Sequence, residues 1–269
     1  MNDFNKPSIT VAISTIAVNV DRFISSFFFL PLIDADEVII VIQGMKDKVS
    51  QPKLKDYTII YDDQYGLSRS RNIAIENSEC DFIWFLDDDV LLMTDCVKKI
   101  KKNLALNNNP ALQTVRMKYL DGRPYKNYTK KKILGRIGSL RVSSVELVVS
   151  KNFLLKNDIR FNENLGLGSR FPSVEENIFF LDVFDKGGLV LHFPEFLLKH
   201  EFIDRKAMHF SNSAILKAKG MFCSRYGGFI GFLIFTYYLI KCMIVSGRLK
   251  LILSLYQGYK NTEGIVKNA

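Results

Sequence analysis

Asp87, Asp88 and Asp89 follow directly on Phe82-Ile83-Trp84-Phe85-Leu86. Five apolar residues without polar alternation suit a strand buried on both faces. Three carboxylates cannot follow that strand into a core, because unpaired buried charge is too costly. They belong at its C-terminal end, where open α/β sheets bind ligands. Carboxylates this close repel one another unless a cation neutralises them, and hard oxygen ligands suit Mg2+ or Mn2+ carrying a phosphorylated substrate.

Other readings of the three aspartates fit less well. An EF-hand loop needs further oxygen ligands, a glycine and a closing glutamate, and Val90-Leu91-Leu92 supplies none. A phosphatase of the haloacid dehalogenase type also carries an acidic motif after an apolar strand, near its N-terminus, with Thr or Val where this chain has Leu91. Helix capping accounts for one carboxylate and leaves two unexplained.

A second candidate is Gly66-Leu67-Ser68-Arg69-Ser70-Arg71-Asn72. It follows a strand and opens a helix, so free amides and two arginines could meet a phosphate there. A plain glycine turn with a serine cap is the simpler reading. A third is Ser173-Val174-Glu175-Glu176, which fits a capping box before the apolar run Ile178–Leu181. A cap uses one glutamate and leaves the other to face a site. Of the three histidines, His192 belongs to a strand, His200 ends an apolar run, and His209 precedes Ser211 and Ser213.

These groups must be held by a substantial core. The chain has 269 residues, 48% of them hydrophobic, enough for one large domain with an appendage. Cys80, Cys96, Cys223 and Cys242 are scattered, with no CxxC pair, and read as thiols of a cytosolic chain. Met1–Pro7 is polar and shows no signal-peptide pattern.

Almost all of the net +9 charge lies at one end. From residue 199 onward eleven Lys or Arg face three acids, a net +8, and the same stretch holds the most apolar run, Phe229–Val245. Seventeen residues broken by Lys241 are short for a span, which needs about 20 apolar residues. Basic residues beside an apolar, aromatic helix suit an interfacial anchor on anionic lipid, which would place the chain peripherally on the inner face of the cell membrane. The alternative is a buried C-terminal helix with solvated lysines. No nucleic-acid-binding motif accompanies the basic excess.

Strands are expected at 9–13, 38–42, 57–61, 82–86, 112–119 and 144–149. Helices are expected at 21–32, from a Ser68 cap to 77, from a Thr94 cap to 106, and at 173–184, closed by Gly187-Gly188. Strands alternating with helices give an α/β domain with a mixed, mostly parallel sheet. Residues 107–141 are less regular. The division falls near residue 205, with residues 1–205 as the α/β domain and 206–269 as a helical extension.

At this point the chain resembles the family 2 glycosyltransferases. The resemblance rests on the opening strand through Thr15, on Gly-Leu-Ser-Arg-Ser-Arg-Asn at 66–72 and on Leu-Asp-Asp-Asp-Val at 86–90. Phe161-Asn162-Glu163, Gly166-Leu167-Gly168 and Glu175-Glu176-Asn177 extend it, so that it covers residues 8–205. It implies the GT-A fold, Rossmann-like, with a nucleotide-sugar donor, a divalent cation and inversion at the anomeric carbon. By the same resemblance, Thr15 and Gln43 lie near the nucleobase, Gln43 standing where the family commonly has aspartate. Arg71 approaches the nucleotide. Asp87 lies toward the ribose, with Asp88 beside it, and Asp89 toward the metal. Glu176 matches the general base of the family's Glu-Asp pair, with Glu175 as the other candidate, and His200 matches a histidine that touches metal or diphosphate.

The implied reaction is hexose transfer, with a UDP-sugar as the commonest donor, to a lipid-linked saccharide acceptor in surface polysaccharide or lipopolysaccharide assembly. Two other classes stay open on the sequence: a metal-dependent phosphohydrolase using Asp87 as nucleophile, and a non-catalytic membrane-associated module.

Overall fold

The computed structural model describes residues 6–25, 32, 34–45, 57–202 and 206–260. Its centre is an eight-stranded sheet in the order β3-β2-β1-β4-β7-β6-β8-β5. The strands are β1 (Ile9–Ile16), β2 (Glu37–Gln43), β3 (Thr58–Asp62), β4 (Phe82–Asp87), β5 (Leu91–Leu92), β6 (Leu112–Tyr119), β7 (Leu147–Ser150) and β8 (Val190–His200). β1, β2, β3 and β4 run parallel, β7 is antiparallel to β4 and β6, and β8 is parallel to β6. The sheet is therefore mixed and mostly parallel, as the alternation of strands and helices requires.

The continuous apolar runs form the central strands because both sheet faces are covered. On one face Ile13, Ile40, Trp84 and Leu86 pack with Val97, Ile100 and Leu104 of α3 (Cys96–Leu106). On the other, Ala12, Ile39, Ile83 and Phe85 pack with Ala74 and Ile75 of α2 (Leu67–Asn77), Leu154 of α4 (Lys151–Lys156) and Phe179, Phe180 and Val183 of α5 (Glu175–Asp185). A helix begins the chain's first crossover as α1 (Val20–Ser25), six residues long. The rest of the helix expected at 21–32 falls mostly outside the described residues.

Three expected caps are not formed. α2 starts after Gly66, and Ser68 lies inside the helix, its hydroxyl donating to the Leu165 carbonyl at 2.6 Å. α3 is preceded by Asp95 in the left-handed region, not by a Thr94 cap. α5 is preceded by left-handed Val174 with no side-chain cap, so the Ser173–Glu176 box is absent and both glutamates stand in the first turn. The strand expected at 144–149 is divided. Ser144–Glu146 is a 3-10 turn whose own capping box joins Ser143 to Glu146, and the strand begins only at Leu147.

Among the described residues four helices follow β8: α6 (Lys206–Ser211), α7 (Ser213–Tyr226), α8 (Gly228–Val245) and α9 (Leu249–Lys260). α7 is tied to the α/β part, with Ala218, Met221 and Phe222 packing on Leu165, Ile178 and Leu181. α7 and α9 cross at glycine, since a Cβ on Gly220 or Gly258 would run into the facing backbone. α8 is different. Only Gly231 and Cys242 are buried, and Phe229, Phe232, Met243 and Ile244 are more than half exposed. The buried-helix alternative therefore fails, and α8 is long and apolar enough to cross a membrane by length and composition. All four cysteines are buried and none is in a disulfide.

Candidate active site

The C-terminal ends of β1 and β4 lie side by side, with Ser14 in register with Asp87. The chain turns sharply after Asp87, and the three carboxylates diverge. Asp87 turns inward to Arg71, whose Nη2 lies 3.2 Å from Oδ1. Asp88 turns back across β1, accepting from the Thr15 hydroxyl at 2.5 Å and from Asn19 Nδ2 at 3.1 Å. Asp89 points outward, its Oδ2 3.2 Å from Nε2 of His200. This divergence separates the like charges.

Arg71 is the centre of the arrangement. It is 1% exposed, and its Nη1 reaches Glu175 Oε1 at 3.2 Å while Nη2 holds Asp87. Its guanidinium also lies over the Phe161 ring, 5.4 Å from the centroid. A guanidinium buried this deeply needs carboxylates on its edges. Arg71 thus has both terminal nitrogens committed to carboxylates. Burial raises the Asp87 carboxyl above its usual range and Arg71 opposes that shift. Arg69 is committed elsewhere, donating to both Asp62 oxygens at 2.7 and 3.3 Å. The expected meeting of two free arginines at the helix start does not occur.

The start of α2 is clamped to the segment 161–168. Leu67 N–H donates to the Leu167 carbonyl at 2.8 Å, and Asn72 exchanges hydrogen bonds with the Phe161 backbone and reaches Glu163. Gly66 N–H donates to Gln43 Oε1 at 2.8 Å, so Gln43 holds the glycine loop from the end of β2. Gly166 and Gly168 adopt φ of 94° and 80°. A Cβ on Gly168 would lie 3.1 Å from Gly66 N, and one on Gly166 would lie 3.0 Å from Ser68 Oγ and 3.1 Å from Glu175 Cδ. Glycine is required here by both backbone and space.

Glu175 is buried against Arg71, and Glu176, next on the first turn of α5, is half-buried. Burial and the adjacent Glu175 push the Glu176 carboxyl well above its ordinary range. The two neighbouring carboxylates thus stand in different settings: Glu175 is pinned by an arginine, and Glu176 is held above its ordinary range.

The outer wall is built by the short pairing of β5 with β8, which sets Leu91 opposite Lys199 and carries His200 to Asp89. His200 Nδ1 contacts the Glu201 carbonyl, an acceptor that calls for a proton on Nδ1. Nε2 then faces the Asp89 carboxylate at 3.2 Å, where it donates if the imidazole is protonated and otherwise leaves a lone pair that a cation between the two would satisfy. An imidazole held by a backbone carbonyl is also how metal-binding histidines are oriented. Among the described residues no group of three or more His, Cys, Asp or Glu side chains is placed to hold a metal. The Asp89–His200 pair fits a cation whose remaining positions are filled by substrate phosphate and water, as Mg2+ and Mn2+ sites commonly are.

The structure thus gathers three groups at this end of the sheet: Asp87–Arg71–Glu175, Thr15 with Asp88, and Gln43 with Gly66, with Glu176 next to Glu175 and the Asp89–His200 pair on the outer wall. His192 is elsewhere, buried between Thr114 and Arg116. Burial and Arg116 lower its pKa to about 4. Asn19 and Asp62 escaped the reading of the sequence, because neither lies in a motif and each is defined only by its partner.

The Glycosyl transferase family 2 profile matches residues 14–168. Crystal structures of S. aureus TarS share the fold. One aligns with a TM-score of 0.60 at 15% identity, over 96% of this chain and 54% of that one. TarS 1–349 in complex with UDP aligns with a TM-score of 0.62 at 14% identity, over 97% and 93% of the two chains. TarS 1–349 in complex with UDP-GlcNAc gives 0.61 at 13% identity, over the same shares. No curated protein matched. The present chain spans 54% of the length of the longer TarS chain. With the profile covering more than half of its length and the site built at the ends of β1 and β4, the chain belongs to glycosyl transferase family 2 and is a glycosyltransferase of GT-A fold.

Proposed function

We propose that the protein is an inverting hexosyltransferase that takes its sugar from a UDP-sugar and passes it to a lipid-linked saccharide in surface polysaccharide or lipopolysaccharide assembly. The observation that carries the reading is the buried Glu175–Arg71–Asp87 chain, which joins the first turn of α5 to the acidic end of β4. The TarS structures with UDP and UDP-GlcNAc support the choice of donor. The phosphohydrolase and non-catalytic alternatives fall with family membership.

In this reading Asp87 and Asp88 receive the ribose side of the donor, with Thr15 and Gln43 bordering the base. Arg71 keeps Asp87 aimed and opposes the rise in its pKa that burial causes. Glu176 takes the proton from the acceptor hydroxyl as that oxygen attacks the anomeric carbon, and the bond from that carbon to the diphosphate oxygen breaks on the opposite face. A raised pKa makes Glu176 a stronger base than an ordinary carboxylate. Asp89 and His200 would hold Mg2+ or Mn2+, which when bound neutralises charge on the leaving diphosphate.

The mostly exposed apolar helix α8, with Lys241, Arg248 and Lys250 on or after it, supports a peripheral position on the inner membrane face, where a lipid-carried acceptor is met in two dimensions. The test is a thermal-shift screen of nucleotide sugars, followed by NMR of the product's anomeric configuration. Protection by a UDP-sugar and an inverted product are expected. Selective protection by a non-uridine donor, or a product with retained configuration, would refute the proposal.

A further inference from the structure

A cavity lies away from the acidic end of β4, none of whose aspartates line it. It has a volume of about 1090 Å³, just above the ~300–1,000 Å³ range of ligand pockets. Its walls come from the loop 126–142, the early parts of β6 and β8, and the junction of α7 with α8. Ile133, Leu134, Ile137, Val142, Phe229 and Ile230 make much of the lining apolar. The last two begin α8, so the cavity opens onto the exposed apolar helix.

Its polar lining is cationic. Lys126, Lys131, Arg136, Arg141 and Arg225 face two acids, Glu146 and Asp185. Lys126 pairs with Glu146 at 2.5 Å, Arg136 with Asp185 at 3.3 Å, and Arg225 with Asp182 and Asp185 at 2.6 and 2.8 Å. Among the described residues Lys131 and Arg141 line the cavity without an acidic partner. Arg225 is more than nine-tenths buried and committed to Asp182 and Asp185, so it sets the charge of the wall without being free to bind. Lys131 and Arg141 are exposed, so the two cations that no acid pairs lie where an anion can reach them.

The cavity is also joined to the catalytic helix. Asn177, the residue after Glu176, donates from Nδ2 to the Ser139 carbonyl at 2.6 Å and so holds the turn 136–140 that forms one wall.

We propose that this cavity takes the hydrocarbon chain of a phosphorylated lipid, entering from the membrane surface at the start of α8, with the phosphate held by Lys131 and Arg141. The inference rests on the lipid-linked acceptor proposed above and names where that acceptor's carrier sits. An apolar volume bordered by two exposed cations without acidic partners, Lys131 and Arg141, suits a long chain ending in an anion better than it suits a free sugar or a free phosphate.

The test is photolabelling of the full-length protein in detergent with a diazirine analogue of farnesyl phosphate, with labelled peptides read by mass spectrometry. Label is expected within residues 131–142 and 225–230, displaced by unlabelled farnesyl phosphate and not by inorganic phosphate. Ile133 and Ile137 are 63% and 62% exposed, so Ile133→Glu and Ile137→Glu leave the core intact. A carboxylate on that wall repels both chain and phosphate, and at least about tenfold weaker labelling is expected. Arg141→Ala should weaken labelling by farnesyl phosphate more than labelling by the matching farnesol probe.

Label confined to the outer face of α8, displacement by inorganic phosphate alone, or labelling unchanged by both glutamate variants would overturn the assignment. UDP protection measured on the same preparation separates the two readings. If UDP protects and the label falls elsewhere, the cavity assignment alone fails. If the label falls in the cavity and no UDP-sugar protects, the donor reading fails and the cavity stands.

Discussion

Arg71 and Glu175, 104 positions apart in the chain, meet at 3.2 Å with the guanidinium 1% and the carboxylate 8% exposed. Neither could be buried alone. The pair fixes the start of α5 against α2 and thereby fixes where Glu176 points. Arg71→Met should cost about 3–5 kcal/mol, because it leaves a buried carboxylate without its partner. Urea denaturation of Arg71→Met, Glu175→Gln and the double variant measures this. The double variant should be less destabilised than the sum of the singles by about 0.5–3 kcal/mol, and strict additivity would count against the pairing.

Gly166 makes the same contact possible from the other side. Gly166→Ala forces a side chain into the left-handed region and against Glu175 Cδ, with an expected loss of about 1–3 kcal/mol. The same variant should lower kcat, since Glu175 must shift. Thermal unfolding and steady-state kinetics on one preparation test both effects, and a fully active, fully stable variant would contradict the close approach.

How much of this was legible in the sequence follows from how each feature is encoded. β1, β2 and β4 are continuous apolar runs, and burial on both faces leaves no other place for them. The acidic end of β4 announces itself by the abrupt change from Leu86 to Asp87. The start of α2 and the glutamates of α5 were visible as motifs, but their caps were not. Asp95 and Val174 take left-handed φ without being glycine, and nothing in the local sequence marks that. The pairing of Arg69 with Asp62 and the short β5–β8 ladder depend on partners distant in the chain. Two residues, Leu91 and Leu92, are too short a run to read as a strand, yet that ladder carries His200 to Asp89. The loop 126–142 looked merely irregular. Its order comes from Glu146, which binds Tyr128 and Lys126 across the fold.

Glu176 carries a signed pH prediction. Its folded pKa is raised by burial and by Glu175, so the protonated form is favoured in the native state. The associated stability is present at low pH and lost as pH rises through the folded pKa. Glu176→Gln removes that loss. The melting temperature of the variant should exceed that of the parent at alkaline pH, with the two converging near pH 4. Its kcat should fall by about 10²–10⁴-fold while UDP affinity is retained. In the parent, kcat should decline on acidification at a pH above the ordinary carboxylate range. A variant that stays active, or that melts lower at every pH, would contradict the role.

α8 predicts binding to anionic vesicles. Phe232 and Ile244 are 53% and 75% exposed, so Phe232→Glu and Ile244→Glu leave the interior unchanged. Each should sharply reduce co-sedimentation with phosphatidylglycerol vesicles, without lowering the melting temperature. Salt should weaken the parent's binding, since each Lys or Arg near such a surface contributes about 1 kcal/mol that ions screen. Vesicle binding unaffected by both variants would place the attachment elsewhere.

Isothermal titration of UDP with and without Mn2+, in the parent and in Asp89→Asn, tests the acidic end of β4 most directly. UDP affinity should rise by tenfold or more, about 1.4 kcal/mol, when Mn2+ is added to the parent, and this gain should vanish in Asp89→Asn. Equal UDP affinity with and without the cation in the parent, or a full Mn2+ effect in Asp89→Asn, would contradict a cation held between Asp89 and the donor's diphosphate.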